Sequence, residues 1–271
     1  MTFTLGRRAL LLAYSLLVIV PLLVVVFGSL KTQPQLFADP FLPGTDPQVH
    51  NYTDAVMNQG IGRAMVNSIF VTGFSVVLTL LLASLAAFGI ARIPGWKGGL
   101  IFTFLILGMA IPAQANMIPQ RVLFQNLGLL DSLLGLVLIN ITFTLPVATF
   151  IMGGFMKTLP SSMFEASAID GAGNFRAYLQ IALPLSAPSV AATAIFLFVI
   201  QWNDLLYPLL FIQSPEKRTL PLALLNFQGQ FLTNYPMLFT GVVIASLPIV
   251  VAYVLLQRYF VAGMTAGATK G

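Results

Sequence analysis

The sequence predicts an all-α polytopic membrane protein with six spanning helices, and three observations carry that expectation. The first is composition. Hydrophobic residues make up 58% of the 271-residue chain and charged residues 8%, against roughly 25% charged in a soluble domain. Thirteen basic and eight acidic side chains cannot cover a soluble surface of this size, which excludes a soluble globular domain, a disordered chain and a nucleic-acid binder. The second is run length. A spanning helix needs about 20 apolar residues, and the runs here are far longer than the short alternating segments of an outer-membrane barrel. The third is where the charges fall.

Six segments qualify as spans. They run from about Ala9 to Leu30, Met65 to Ala91, Gly98 to Ile118, Ser132 to Met156, Leu185 to Ile212, and Leu238 to Gln257. Pro21, Pro112, Pro146, Pro208 and Pro248 lie inside them, as membrane helices tolerate when neighbours re-satisfy the backbone. The first segment follows Arg7-Arg8. It is longer than a signal h-region and ends in no small-x-small site, so it reads as an anchor rather than a cleaved leader. The chain divides into residues 1–60 (first span and outer loop), 61–258 (five spans) and 259–271 (a tail).

With the N-terminus in the cytoplasm, the inner side carries Arg7, Arg8, Arg92, Lys97, Lys157, Arg176, Arg258 and Lys270, against Glu165 and Asp170. The outer side carries Lys31, Arg63, Arg121, Lys217 and Arg218, against Asp39, Asp46, Asp54, Asp131 and Glu216. Inside is basic and outside near neutral, as the positive-inside rule expects. The formal net charge of +5 thus has a topological account, with both termini cytoplasmic and no nucleic-acid partner.

Soluble chemistry is missing. Cysteine is absent and His50 is the one histidine, so thiolate chemistry and a metal site are not expected. No G-x-x-x-x-G-K-[ST], H-E-x-x-H or G-x-S-x-G motif occurs. No catalytic residue and no cofactor are expected on this chain, and any ATP it uses must bind another one.

The long cytoplasmic loop, 157–184, is the most informative stretch. Ser162 and Glu165 have the S-x-x-E spacing of a capping box, and Phe164, Ala168 and Ile169 fall on one helical face. Gly171 and Gly173 are C-cap candidates, and a second helix is expected from about Asn174 to Leu183, ending before Pro184. A surface helix that binds lipid carries Lys or Arg. This one carries acids, which favours a basic protein partner.

That loop resembles the EAA loop of the membrane subunits of binding-protein-dependent ATP-binding cassette importers. Glu165-Ala166-Ser167, Gly171 and Ile181-Ala182-Leu183-Pro184 stand at its spacings, with Ser167 replacing the second alanine. Gln201-Trp202-Asn203-Asp204, Thr219-Leu220-Pro221, Asn226-Phe227-Gln228-Gly229, Gln257-Arg258-Tyr259-Phe260 and the ending from Gly263 to Gly271 look like the carbohydrate branch. Within it, they resemble the maltose-type second membrane subunit.

The resemblance implies a type I importer permease in a bacterial or archaeal inner membrane. Its implied partners are a second, different permease, two ATPase subunits holding ATP and Mg, and an extracytoplasmic solute-binding protein. Phe164, Glu165, Ala166, Ser167, Ala168, Asp170 and Gly171 would form the coupling helix and its cap. Thr265, Ala266, Gly267 and Lys270 would meet the ATPases. Polar residues within spans usually face a cavity or a neighbouring helix, so Asn140, Gln201, Asn203 and Asp204, with Trp202 and Tyr207 as stacking surfaces, are the substrate-path candidates. Helix–helix hydrogen bonding is the alternative role for each. Two other functions stay open: the same machine carrying glycerol phosphate, an amino acid or a polyamine, and an ion-coupled secondary carrier. An intramembrane enzyme would need a nucleophile–base pair that is not evident.

Overall fold

A computed structural model describes residues 2–229 and 233–268, with side chains at 6–229, 233–255 and 257. In chain order the helices are α1 (Thr2–Ser29), α2 (Gln33–Ala38), α3 (His50–Met57), α4 (Ile61–Arg92), α5 (Trp96–Leu107), α6 (Ala113–Asn126) and α7 (Leu133–Met156). There follow α8 (Ser161–Ile169), α9 (Asn174–Ala177), α10 (Leu183–Leu185), α11 (Ala187–Trp202), α12 (Leu206–Phe211), α13 (Leu220–Leu224) and α14 (Tyr235–Ala268). Among the described residues no strand forms, and one antiparallel bridge joins Gln228 and Thr233.

Among the described residues, four helices are long and apolar enough to cross a membrane: Gly6–Ser29, Ile61–Arg92, Leu133–Met156 and Tyr235–Leu255. Two bent pairs bring the total to as many as six. The third and fifth segments are therefore not the straight spans expected. The third breaks after a 3₁₀ turn at Gly108–Ala110, and α6 leaves at 92°. Pro112 is the cause: it disfavours helical backbone at the preceding residue, and Ile111 is extended at φ −88°, ψ 118°.

The fifth segment breaks twice. The helical run from Asn174 continues through Pro184 to Leu185, widening into a π-turn at Tyr178–Ala182, and then bends by 74° at Ser186. Pro184 thus does not end the second loop helix. It lacks the N–H that would reach back to Gln180, and the wider turn just before it absorbs that loss. The second break spans Asn203 to Leu205. A continuous helix would drive the Pro208 ring into the carbonyl of Asp204, so the chain restarts as α12. Pro21, Pro146 and Pro248 do sit inside long helices.

The chain forms two compact units. One comprises Met1–Val66 and Arg218–Pro248. Its polar loops are tied by hydrogen bonds. Asn51 donates to the carbonyls of Ser29 (2.9 Å) and Lys31 (3.2 Å), Thr240 donates to Ser29 (3.1 Å), and Gln33 donates to Thr233 (2.8 Å). A capping box formed by Thr32 and Gln35 starts α2. Most side chains of α1 are exposed.

The other unit comprises Asn67–Lys217 and Ile249–Gly271. Its apolar core gathers Phe88, Ala148, Met152, Phe164, Tyr178 and Leu197 with smaller neighbours. Buried hydroxyls sit at the helix contacts, including Ser75, Thr79, Thr144 and Thr193, as expected where small residues let membrane helices approach. At one end, Asp131 holds a positive φ of 50°. Its carboxylate accepts from the Gln213 and Ser214 amides, the Ser214 hydroxyl and, at 3.0 Å, the Lys217 ammonium.

Candidate functional site

The loop helix α8 starts two residues earlier than the S-x-x-E spacing implies. Pro160 is its N-cap and no side chain caps it, so Ser162 lies within the first turn and the expected capping box does not form. Phe164 is buried, whereas Ala168 and Ile169 are exposed. The packed face is therefore Phe164 with half-buried Ser167, whose hydroxyl donates to the Phe164 carbonyl at 2.8 Å. The Phe164 ring lies 5.9 Å from Phe88 and 4.0 Å from the Arg92 guanidinium. Tyr178 extends this anchor, 5.5 Å from Phe88, with its hydroxyl 2.7 Å from Ser84. Glu165 and Ala166 face outward with Ala168 and Asp170.

The C-terminal end closes on glycine as expected, but on one glycine only. Gly171 has φ +78°; its amide reaches the Ala168 carbonyl (3.1 Å), and the Ala172 amide reaches Ser167 (2.9 Å). That pair of bonds is a Schellman closure. Gly173 has an ordinary φ of −69° and is instead the N-cap of α9.

A second constellation forms where the two breaks place polar residues beside α7. Asn140, Gln201, Asp204 and Tyr207 line one small cavity of about 90 Å³. An adjoining cavity of about 420 Å³ shares Phe143, Ile200 and Tyr207 with it and adds Asn116, Gln120 and Thr142. Gln201 is buried and its amide nitrogen donates to Thr144 (3.0 Å), which donates to the Asn140 carbonyl (2.6 Å). The Tyr207 hydroxyl donates to Gln120 (3.1 Å). One oxygen of Asp204 accepts from the amides of Leu206 (3.1 Å) and Tyr207 (3.5 Å), holding the start of α12. Gln201 Oε1 and Asp204 Oδ2 are buried without a hydrogen-bond partner.

The remaining candidates lie elsewhere. Trp202 is buried and stacks on Phe198 at 5.5 Å and 14°. Asn203 is exposed and donates to the Val199 carbonyl (2.8 Å). Thr265, Ala266 and Gly267 lie on the backbone of α14, and Lys270 falls outside the described residues. Among the described residues no cluster of three or more metal-ligating side chains occurs.

Sequence reasoning missed Gln114, Asn116 and Gln120. Their signal was a polar run directly after Pro112, which a single straight span obscured. It also missed Arg92 as the partner of Phe164, because a cation at a span end reads first as a topological anchor.

Breaks in apolar helices, polar side chains gathered at those breaks and a surface helix bolted to the core define a membrane transport subunit. The chain belongs to the family of binding-protein-dependent transport system inner membrane components, whose model matches residues 79–266. It is 34% identical over 262 residues to a putative ABC transporter permease protein of Caldicellulosiruptor, covering 96% of this chain and 95% of the relative. It is 31% identical over 253 residues to the melibiose/raffinose/stachyose import permease protein of Bacillus subtilis, covering 93% and 91%. In fold it matches a chain of a bacterial ABC transporter that imports the acidic polysaccharide alginate, with TM-score 0.83, 21% identity and 96% of each chain covered.

Proposed function

We propose that this chain is the transmembrane subunit of an ATP-driven sugar importer, forming half of a translocation path. In this reading the bent pairs each count as one span, giving six, with both termini cytoplasmic and residues 61–258 as the permease core. A second permease completes the path, two ATPase subunits bind ATP and Mg, and an outer solute-binding protein delivers cargo. Such a machine alternates between two packings, and nucleotide-driven closure selects between them.

One observation carries the reading. The α8 helix buries Phe164 in the core while presenting Glu165, Ala166, Ala168 and Asp170 outward, and a Schellman turn at Gly171 fixes its end. An apolar anchor beneath an acidic outer face suits a helix that transmits a push from a basic cleft. Asn140, Gln201, Asp204 and Tyr207 are the substrate path, with Trp202 and Asn203 shaping the α11 end. The tail, including Thr265, Ala266, Gly267 and Lys270, contacts the ATPases. Carbohydrate cargo is supported by a relative whose name specifies melibiose, raffinose and stachyose, and glycerol phosphate is the second reading.

The test is purification of the tagged chain from membranes. An ATPase and a second permease should accompany it, and sugar-loaded binding protein should stimulate hydrolysis. A chain that purifies alone and transports on a proton gradient would instead be a secondary carrier.

A further inference from the structure

The two adjoining cavities described above share a chemical bias that neither the family nor the fold specifies. Among the described residues, no Lys, Arg or His lines either of them. The nearest cation in sequence, Arg121, is engaged elsewhere, donating to the Leu210 carbonyl. What lines them is uncharged apart from one acid: the amides of Asn116, Gln120, Asn140 and Gln201, and the Asp204 carboxyl. Two acceptors, Gln201 Oε1 and Asp204 Oδ2, are buried and unpartnered. Buried polar atoms are nearly always satisfied, and one left alone costs stability. Two lining the same cavity at a helix break call for a donor from outside the chain. Phe143 faces both cavities, is 46% exposed, and lies 6.2 Å from Tyr207 at a tilt of 53°. Together these rings give both cavities an aromatic wall.

We infer that the cavity pair receives one ring of a neutral, polyhydroxylated sugar and discriminates against anionic cargo. Ring hydroxyls donate to Gln201 Oε1 and Asp204 Oδ2, and the C–H face lies against Phe143. A carboxylate, sulfonate or phosphate entering the site would be desolvated with no cation to meet it, which is costly in a low-dielectric interior. The larger space, about 420 Å³, is within the range of ordinary ligand pockets. This inference rests on the importer reading and narrows its cargo: it argues against the glycerol phosphate reading, and the acidic polysaccharide of the structural neighbour is a poor fit.

The chain contains no cysteine, so Thr142→Cys places a single thiol in this chain, on the wall of the larger cavity. Purified assembled importer carrying that variant is titrated with neutral and anionic methanethiosulfonates, each rate being normalised to a free thiol. Methyl glucoside and methyl glucuronoside, which differ only in the carboxylate, serve as protecting ligands. The anionic reagent should react at least about tenfold more slowly than the neutral one, and Asp204→Asn should narrow that gap. Methyl glucoside should slow labelling and the glucuronoside should not, and Phe143→Ala should abolish the protection. Equal rates for the two reagents, stronger protection by the glucuronoside, protection by neither sugar or an unreactive thiol would each overturn the inference. Failure of the importer reading shows separately, as absence of ATPase subunits from the same preparation.

Discussion

The Arg92 guanidinium sits 4.0 Å from the centroid of the Phe164 ring, joining the last turn of α4 to the buried face of α8. Removing the ring should cost more than removing the charge. Phe164→Ala leaves a void beneath α8 and should destabilise the protein by about 3–5 kcal/mol. Arg92→Gln removes a cation–π contact at an exposed site, about 0.5–1 kcal/mol. Thermal unfolding in detergent should rank them in that order, and similar losses would mean that the ring is not the anchor.

Glu165 and Gly171 should separate chemistry from backbone geometry. No side chain caps α8, so Glu165→Gln should leave stability unchanged. If Glu165 meets a basic group on an ATPase, the same change should remove about 1.5–3 kcal/mol of charge-assisted contact and weaken sugar-stimulated hydrolysis. A Cβ at Gly171 would meet open space, yet φ there is +78°, so any side chain meets backbone strain alone. Gly171→Val should cost about 1–2 kcal/mol, and Gly171→Asn less. ATPase stoichiometry and stimulation in the purified complex check both residues, and normal values in Gln and Val variants would remove α8 from the coupling surface.

Asp131 should make the protein acid-sensitive. The Ser214 hydroxyl and amide, with smaller help from the Gln213 amide and the Lys217 ammonium, hold its carboxyl well below the usual carboxylate range despite some desolvation. Because the folded-state value is depressed, its stabilisation is complete above the ordinary Asp pKa of about 3.9. It is lost as pH falls below that value towards the folded one. Asparagine tolerates positive φ, so Asp131→Asn isolates the charge. The melting temperature of the variant should be lower than wild type at pH 7, and the difference should shrink at pH 3. A constant difference would refute the electrostatic account.

Orientation is tested by two cysteines in this cysteine-free chain. A thiol at Asp46 should be labelled by an impermeant reagent from outside intact cells, and one at Ser167 should not. The opposite pattern would invert the topology and remove α8 from the cytoplasm.

What the sequence determined by itself was largely one-dimensional. Apolar run length marked α1, α4, α7 and α14, because a membrane span is specified by local composition. The end of α8 was equally legible, since an αL turn needs glycine and Gly171 supplies it locally. The breaks in the third and fifth segments depended on more than hydropathy. Pro112 and Pro208 were visible, but proline is also accommodated inside α1, α7 and α14, and whether a helix kinks or breaks depends on what its neighbours re-satisfy. Start geometry at α8 turned on the choice between Pro160 and Ser162 as N-cap, and the chain uses Pro160. Only the tertiary structure could bring Gln120, Gln201, Asp204 and Tyr207 to two adjoining cavities, because their meeting requires two segments far apart in sequence to break and pack against each other.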